Sequence, residues 1–199
     1  MDSCDWKIAE NLKTVLKAQL PVNNQDILEA VTYSLSEITD NTIRHSQSPS
    51  GGFICAQTYP TMNKLEICII DSGIGIVGSL KSENNIHKDV ISTFSKDNEF
   101  IEYALGKGVT SKSVNHSGKG LFFTSKFITE NKGRMKVISG NGMLLIDDEP
   151  GIQLFDTEHH WQGTIVMLEF NLDVPVDVVD IFNREFPPDS DMLDLDDLF

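Results

Sequence analysis

Cysteine is scarce in this chain of 199 residues, with only Cys4, Cys55 and Cys68. The number is odd, the spacing is wide and no Cys-x-x-Cys pair occurs, so neither a disulfide framework nor a cysteine zinc site is expected. A reducing cytoplasm fits this usage best. Basic residues are also few: 16 Lys and Arg stand against 30 Asp and Glu, for a formal net charge of −14. That balance argues against sequence-independent binding to nucleic acid phosphates. No apolar run approaches the roughly 20 residues that cross a bilayer, so no membrane role is expected. The start, Met1-Asp-Ser-Cys-Asp-Trp6, is polar and acidic and lacks the basic and apolar regions of a signal peptide. The five histidines show no metal-site spacing, and His159-His160 before Trp161 reads as a loop pair. Neither an internal repeat nor a second domain is visible.

What is present suffices for one ordinary globular domain, since 40% of the residues are hydrophobic. Ile8, Leu12, Val15, Leu16 and Leu20 recur at helical spacing over about 5–20, and Pro21 ends that run. A second helix is expected from about Asn24 to His45 on Ile27, Val31, Leu35 and Ile38, stopped by Ser48-Pro-Ser-Gly-Gly52. Phe53–Tyr59 and Lys64–Ile70 read as a hairpin joined by Pro60-Thr-Met-Asn63. Residues 76–117 are mostly polar and lack a clean period, although Val90–Leu105 can hold a helix. A stretch of that length with little packed character reads as a functional lid. Gly120–Thr129 resumes a helix, and Arg134–Ser139, Met143–Asp147 and Thr164–Phe170 read as strands. After Pro187-Pro188, the last eleven residues mix five aspartates with Met, Leu and Phe. Such alternation marks either a partner-binding tail or a solvated terminus.

Four short motifs carry the chemistry. Glu37, Asn41 and His45 lie four residues apart, so on a helix they share one stripe, with Arg44 on the same side. A carboxylate there can polarise water, an amide oxygen can ligate Mg²⁺ and a guanidinium can pair with phosphate. A solvated helix face is the bland alternative. Asp71-Ser-Gly73-Ile-Gly75 comes directly off the strand Leu65–Ile70. A carboxylate at a strand end can accept from the exocyclic amine of adenine, while the glycines let backbone approach base and sugar; Asp-Ser-Gly is also a common turn. Gly73-Ile-Gly-Ile-Val-Gly78 matches the dinucleotide fingerprint letter for letter. It lies deep in the chain, however, and no strand ending in an acid follows about twenty residues on.

Gly118-Lys119-Gly120-Leu121 precedes an apolar helical run. Unhindered amides at a helix start favour an anion, and Lys119 adds charge. It is not a Walker A loop, because Gly120 stands where Ser or Thr is required. Lys107 and Lys112 can reach phosphates from the lid, or stand in solvent. Gly163-Thr164 opens the last strand and says little alone.

In this order, Glu37-x₃-Asn41-x₃-His45, Asp71-x-Gly73-x-Gly75, Gly118-x-Gly120-Leu121 and Gly163-Thr164 resemble the N, G1, G2 and G3 boxes of the GHKL (Bergerat-fold) ATP-binding superfamily. Histidine-kinase catalytic domains, type II topoisomerase ATPase domains, heat-shock chaperones and anti-sigma-factor serine kinases belong to it. The resemblance runs from about Ile27 to Phe170. It implies an α/β (α+β) two-layer sandwich, a mixed and mostly antiparallel sheet with helices on one face, and ATP held between the N-box helix and the lid. It also implies Asn41 as Mg²⁺ ligand, Asp71 as adenine acceptor, Thr164 as support near Asp71 and Glu37 as general base. Arg44 stands where histidine kinases usually have Lys. Phe122 follows Leu121 where Gly is usual, a variant similar to anti-sigma kinases. No His precedes His45, so autophosphorylation on an upstream helix is not expected.

The sequence therefore leads us to expect three parts: an N-terminal helix extension (1–23), an ATP-binding domain (24–172, lid about 76–117) and a C-terminal extension with an acidic tail (173–199). The first functional expectation is a stand-alone cytoplasmic Mg-ATP-binding protein, an ATPase or nucleotide-gated regulator of a partner protein. The alternatives are an anti-sigma-type serine/threonine kinase and a non-catalytic nucleotide-bound module. The expected partner is a regulatory protein engaged through the acidic tail, and a homodimer stays open.

Overall fold

In the computed structural model the described residues are 25–82, 88–109 and 119–187, with residues 11, 14 and 15. The expected helix over 5–20 lies outside them apart from those three positions, as does the acidic tail.

The helical period at Ile27, Val31, Leu35 and Ile38 produces helix α1 (Gln25–His45), and all four side chains are buried with Leu28 and Ala30. Gln47, at φ 52°, turns the chain out of the helix. The next apolar alternation gives β1 (Gly52–Tyr59) and β2 (Lys64–Asp71), paired antiparallel from Gly52↔Asp71 to Tyr59↔Lys64. A single 3₁₀ turn, Pro60–Met62, and left-handed Asn63 close this hairpin. Helices α2 (Gly75–Leu80), α3 (Lys88–Ile91), α4 (Asp97–Ala104) and α5 (Gly120–Glu130) follow. Strands β3 (Arg134–Ile146) and β4 (Gln153–Asn171) and helix α6 (Val178–Glu185) complete the described residues.

The four strands form one antiparallel sheet in the order β1-β2-β4-β3. Leu65, Ile67 and Ile69 of β2, Val166, Leu168 and Phe170 of β4, and Met135 and Val137 of β3 all point to one buried face. Helices α1, α5 and α6 contribute Val31, Leu35, Phe123, Phe127 and Phe182 to the same core. The molecule is an α+β sandwich of a helical layer and a sheet, as expected. Burying each of these large side chains contributes roughly 1.5–3 kcal/mol relative to leaving it in water. Cys55 and Cys68 face each other across β1 and β2, and both are free thiols.

Three local expectations change. Arg134–Ser139 and Met143–Asp147 are one strand, β3, because Gly140-Asn-Gly142 is a bulge in the ladder with β4 and not a turn. Strand β4 starts at Gln153 rather than near Thr164, so His159 and His160 lie on an exposed strand and not in a loop. Its first half, residues 153–162, has no buried residue and so shows no period-2 signal. The described part of 76–117 is better packed than its polarity suggests. Phe100 and Ile101 of α4 are buried, and Leu80, Ile91 and Phe100 make a second small core. Gly140 and Gly142 admit α4, since a Cβ on Gly142 would stand 2.4 Å from the Asn98 nitrogen. Asp97 Oδ2 accepts from the Asn141 amide at 2.8 Å, and Lys96 pairs with Asp156 at 2.6 Å.

Candidate functional site

Two groups of residues assemble around the C-terminal half of α1. The first is centred on Glu37. Its stripe faces the start of α5, where Gly120 packs so closely that a Cβ there would stand 2.3 Å from Glu37 Oε2 and 2.7 Å from its Cβ. Only glycine permits that approach. Burial pushes the Glu37 carboxyl up to about 7, helped by the negative charge of Asp40 and opposed by Lys119. A carboxyl near neutrality at a helix N-terminus can both hold and release a proton at ordinary pH. Tyr33, one turn earlier, packs edge-on against Phe123, Phe127 and Phe182. Burial, with the nearby Glu37 charge, holds its hydroxyl firmly neutral.

The second group is centred on Asp71, which is only 4% exposed at the end of β2. Its Oδ1 accepts from the Gly73 amide at 2.9 Å, and the Thr164 amide also bonds to the carboxylate. Burial raises its pKa and the two amides oppose that rise. The result is a desolvated acceptor held in place by backbone. Gly163 is again obligatory, because a Cβ would come within 2.1 Å of the Asp71 carbonyl oxygen. The β3–β4 ladder loses register just there: Ser139 pairs with Thr164, while Gly140 pairs with Trp161. Those extra β4 residues swing Gly163 and Thr164 toward Asp71.

The groups are joined through α1 itself. Ser46, directly after His45, accepts on its carbonyl from the Ile74 amide at 2.7 Å, and Gly73 packs against that carbonyl. About two helical turns of α1 separate Glu37 from this contact.

Of the other residues singled out from the sequence, Asn41 and His45 are half-buried on the Glu37 stripe. Arg44 is engaged by Asp40 through its Nε, so a phosphate would share the guanidinium with that carboxylate. Lys119 caps α5 and its Nζ stands 4.6 Å over the Phe186 ring. Gly75 takes the left-handed conformation (φ 67°), and Leu121 packs partly buried against the core. Lys112 and Gly118 lie outside the described residues. Lys107 is exposed, and its Nζ donates to the Glu185 carbonyl and lies 4.0 Å over the Phe186 ring.

Sequence reading missed three participants. Ser46 closes α1 onto the glycine loop. Trp161 donates from Nε1 to the Asp71 carbonyl at 2.9 Å. Ser139, 1% exposed, donates to the Gly163 carbonyl and accepts from the Ile76 amide, both at 2.9 Å. A polar residue at an inward position of a strand pattern was the available signal for Ser139. Trp161 offered none.

Fold and site together define a two-layer α+β domain whose buried acceptor carboxylate and glycine-lined helix start flank one central helix. No family model and no curated protein matches the chain. Among solved structures, the crystal structure of the B-subunit of the DNA gyrase from Myxococcus xanthus is similar over 87% of this chain, at 8% identity and a TM-score of 0.39. The chain spans 44% of the length of that subunit. So loose a likeness carries no argument about activity.

Proposed function

We propose that this protein binds ATP with Mg²⁺ between α1, the glycine loop after β2 and the start of α5, and uses the bound nucleotide to gate a partner protein. The observation that carries the reading is Asp71. It is a nearly inaccessible carboxylate with two backbone amides on it, and it is bordered by Gly73 and Gly163. An acceptor so placed suits the exocyclic amine of adenine, since a buried polar group discriminates strongly for a ligand that satisfies it.

Mg²⁺ fits the donor set. Among the described residues no cluster of three His, Cys, Asp or Glu occurs, and Mg²⁺ held by the Asn41 amide oxygen and phosphate oxygens needs none. When bound, the ion would neutralise phosphate charge. The chain's own residues then do the following. Asp71 orients the base, the first-turn amides of α5 and Lys119 attract the phosphates, and Glu37 takes a proton from the attacking water. Transfer to a protein hydroxyl would use the same base, and γ-labelled ATP offered with candidate partners separates the two outcomes.

Equilibrium binding of ATP in Mg²⁺ tests the reading. Wild type should bind, Asp71→Asn should weaken binding at least about tenfold, and Glu37→Gln should bind but release no phosphate. Absence of ATP binding by the wild type at millimolar nucleotide overturns it. Capture of a partner in ATP but not in ADP would establish the gating.

A further inference from the structure

We infer that Ser139 is a positioning residue that sets base selectivity, resting on the ATP-binding reading above. The Asp71 carboxylate is held by two amides from segments far apart in sequence: Gly73 in the loop after β2, and Thr164 at the β4 irregularity. The Ser139 hydroxyl joins those same two segments. It accepts from the Ile76 amide, three residues beyond Gly73, and donates to the Gly163 carbonyl, the residue before Thr164. The roles are unambiguous, because an amide can only donate and a carbonyl can only accept.

The hydroxyl thus works as a rivet. Its two bonds are both 2.9 Å and its residue is 1% exposed, so water does not compete for them. Backbone is drawn in tightly around it. A Cβ at Gly75 would meet Ser139 Oγ at 2.5 Å and the Gly163 carbonyl oxygen at 2.8 Å, and Gly75 itself sits at φ 67°. Ser139 does not touch Asp71, yet it fixes the separation of the two donors that do. The direction of the Asp71 acceptor follows from that separation. A misplacement of an ångström or less is enough to spoil a directional contact with a ligand.

The prediction concerns selectivity and not affinity alone. ITP differs from ATP in carrying a carbonyl where adenine has its amine, so its 6-position offers Asp71 an acceptor and no donor. Without the hydroxyl, the Gly73 and Thr164 segments separate and the ATP advantage shrinks, while ITP, which never used the contact, changes little. A merely structural loss lowers both affinities together.

Dissociation constants for ATP and ITP are measured on wild type and Ser139→Ala, with thermal unfolding alongside. The wild type is expected to prefer ATP, and the variant to lose about tenfold of that preference. An unchanged ATP/ITP ratio overturns the inference, whatever happens to stability. If the alanine variant does not fold, Ser139→Cys, nearly isosteric with a weaker donor, takes its place; its ratio should also fall, and an unaltered ratio has the same adverse meaning. Failure of the wild type to bind either nucleotide would instead refute the ATP-binding reading, so the two failures are distinguishable.

Discussion

Glu37 is a carboxyl whose protonation is set by its neighbours. Its ordinary value of 4.5 is raised to about 7, first by burial and then by Asp40. Below about pH 4.5 folded and unfolded chains both hold the proton. Between there and about pH 7 the folded chain keeps a proton that the unfolded chain has released, so stability falls as pH rises through this window. At most this is on the order of 3 kcal/mol. Glu37→Gln should flatten that part of the pH–stability profile, measured by denaturant midpoints from pH 4 to 8; an identical slope in the variant would refute the assignment. Phosphate release should run the other way, rising toward pH 8 with an apparent midpoint near 7, because only the ionised carboxylate accepts a proton. The same contact makes Gly120→Ala costly. Its methyl must displace Glu37 at both Oε2 and Cβ, and the Cβ cannot swing away as a side-chain tip can. Loss of phosphate release with less than about 2 kcal/mol of destabilisation is expected, checked by turnover and chemical denaturation together. At this scale the sequence disclosed most of the site. Glu37, Asp71, Gly73 and Gly120 of the candidate site were visible because chemistry or close approach restricts their residue type, while Gly163 was picked out only by its place in the order of the four motifs. Ser139 left one signal, a polar residue in phase with the inward Met135 and Val137, whereas Trp161 was hidden because its role depends on a ladder irregularity that no local pattern announces.

Among the elements, α6 shows how residues 178–186 are tied to the candidate site. Val178, Ile181 and Phe182 bury one face, Asp177 caps its start, and Arg184 pairs with Glu130 on α5. Phe186 then lies between two cations, Lys107 beyond α4 at 4.0 Å and Lys119 before α5 at 4.6 Å. Lys107 lies within the stretch expected to act as a lid (76–117) and Lys119 just after it, so one ring contacts a cation from each. Phe186→Leu keeps most of the apolar volume and removes the aromatic face. It should cost about 1–2 kcal/mol, read as a lower denaturant midpoint at unchanged slope; a midpoint equal to wild type would show that the cations gain nothing from the ring. Legibility at this scale followed burial. Helix α1 and strand β2 were readable because each presents one buried face and hence a period, while β1, which has no buried residue, was readable from its strand-forming composition and the turn residues beside it. The early part of β4 was not, because residues such as Glu158, His159 and His160 stand exposed and leave no buried face to set a period. In α4, Phe100 and Ile101 pack well, but eight residues are too few to show a period against polar surroundings.

For the whole molecule the dominant long-range term is its charge of −14. Like charges spread over one surface repel and favour the expanded chain. Opposing this are contact pairs such as Lys64–Glu169 at 2.6 Å and Lys126–Glu185 at 3.0 Å. Exposed surface pairs contribute about 0.2–1 kcal/mol each, and these two are partly shielded from solvent. Salt acts unequally on the two. Raising ionic strength from about 0.01 M to 0.15 M shortens the Debye length from about 30 Å to about 8 Å, which removes repulsion across the surface and leaves partners in contact comparatively untouched. Stability should therefore rise with moderate salt, in contrast to a protein held together mainly by surface ion pairs. A gain of about 1 kcal/mol corresponds to roughly 2–4 °C in Tm for a domain of this size. Thermal unfolding in NaCl, kept below 0.2 M so that ion-specific exclusion stays small, measures it. A Tm that stays level or falls over that range would mean that the paired charges, and not the unpaired acidic excess, govern the electrostatics of this fold.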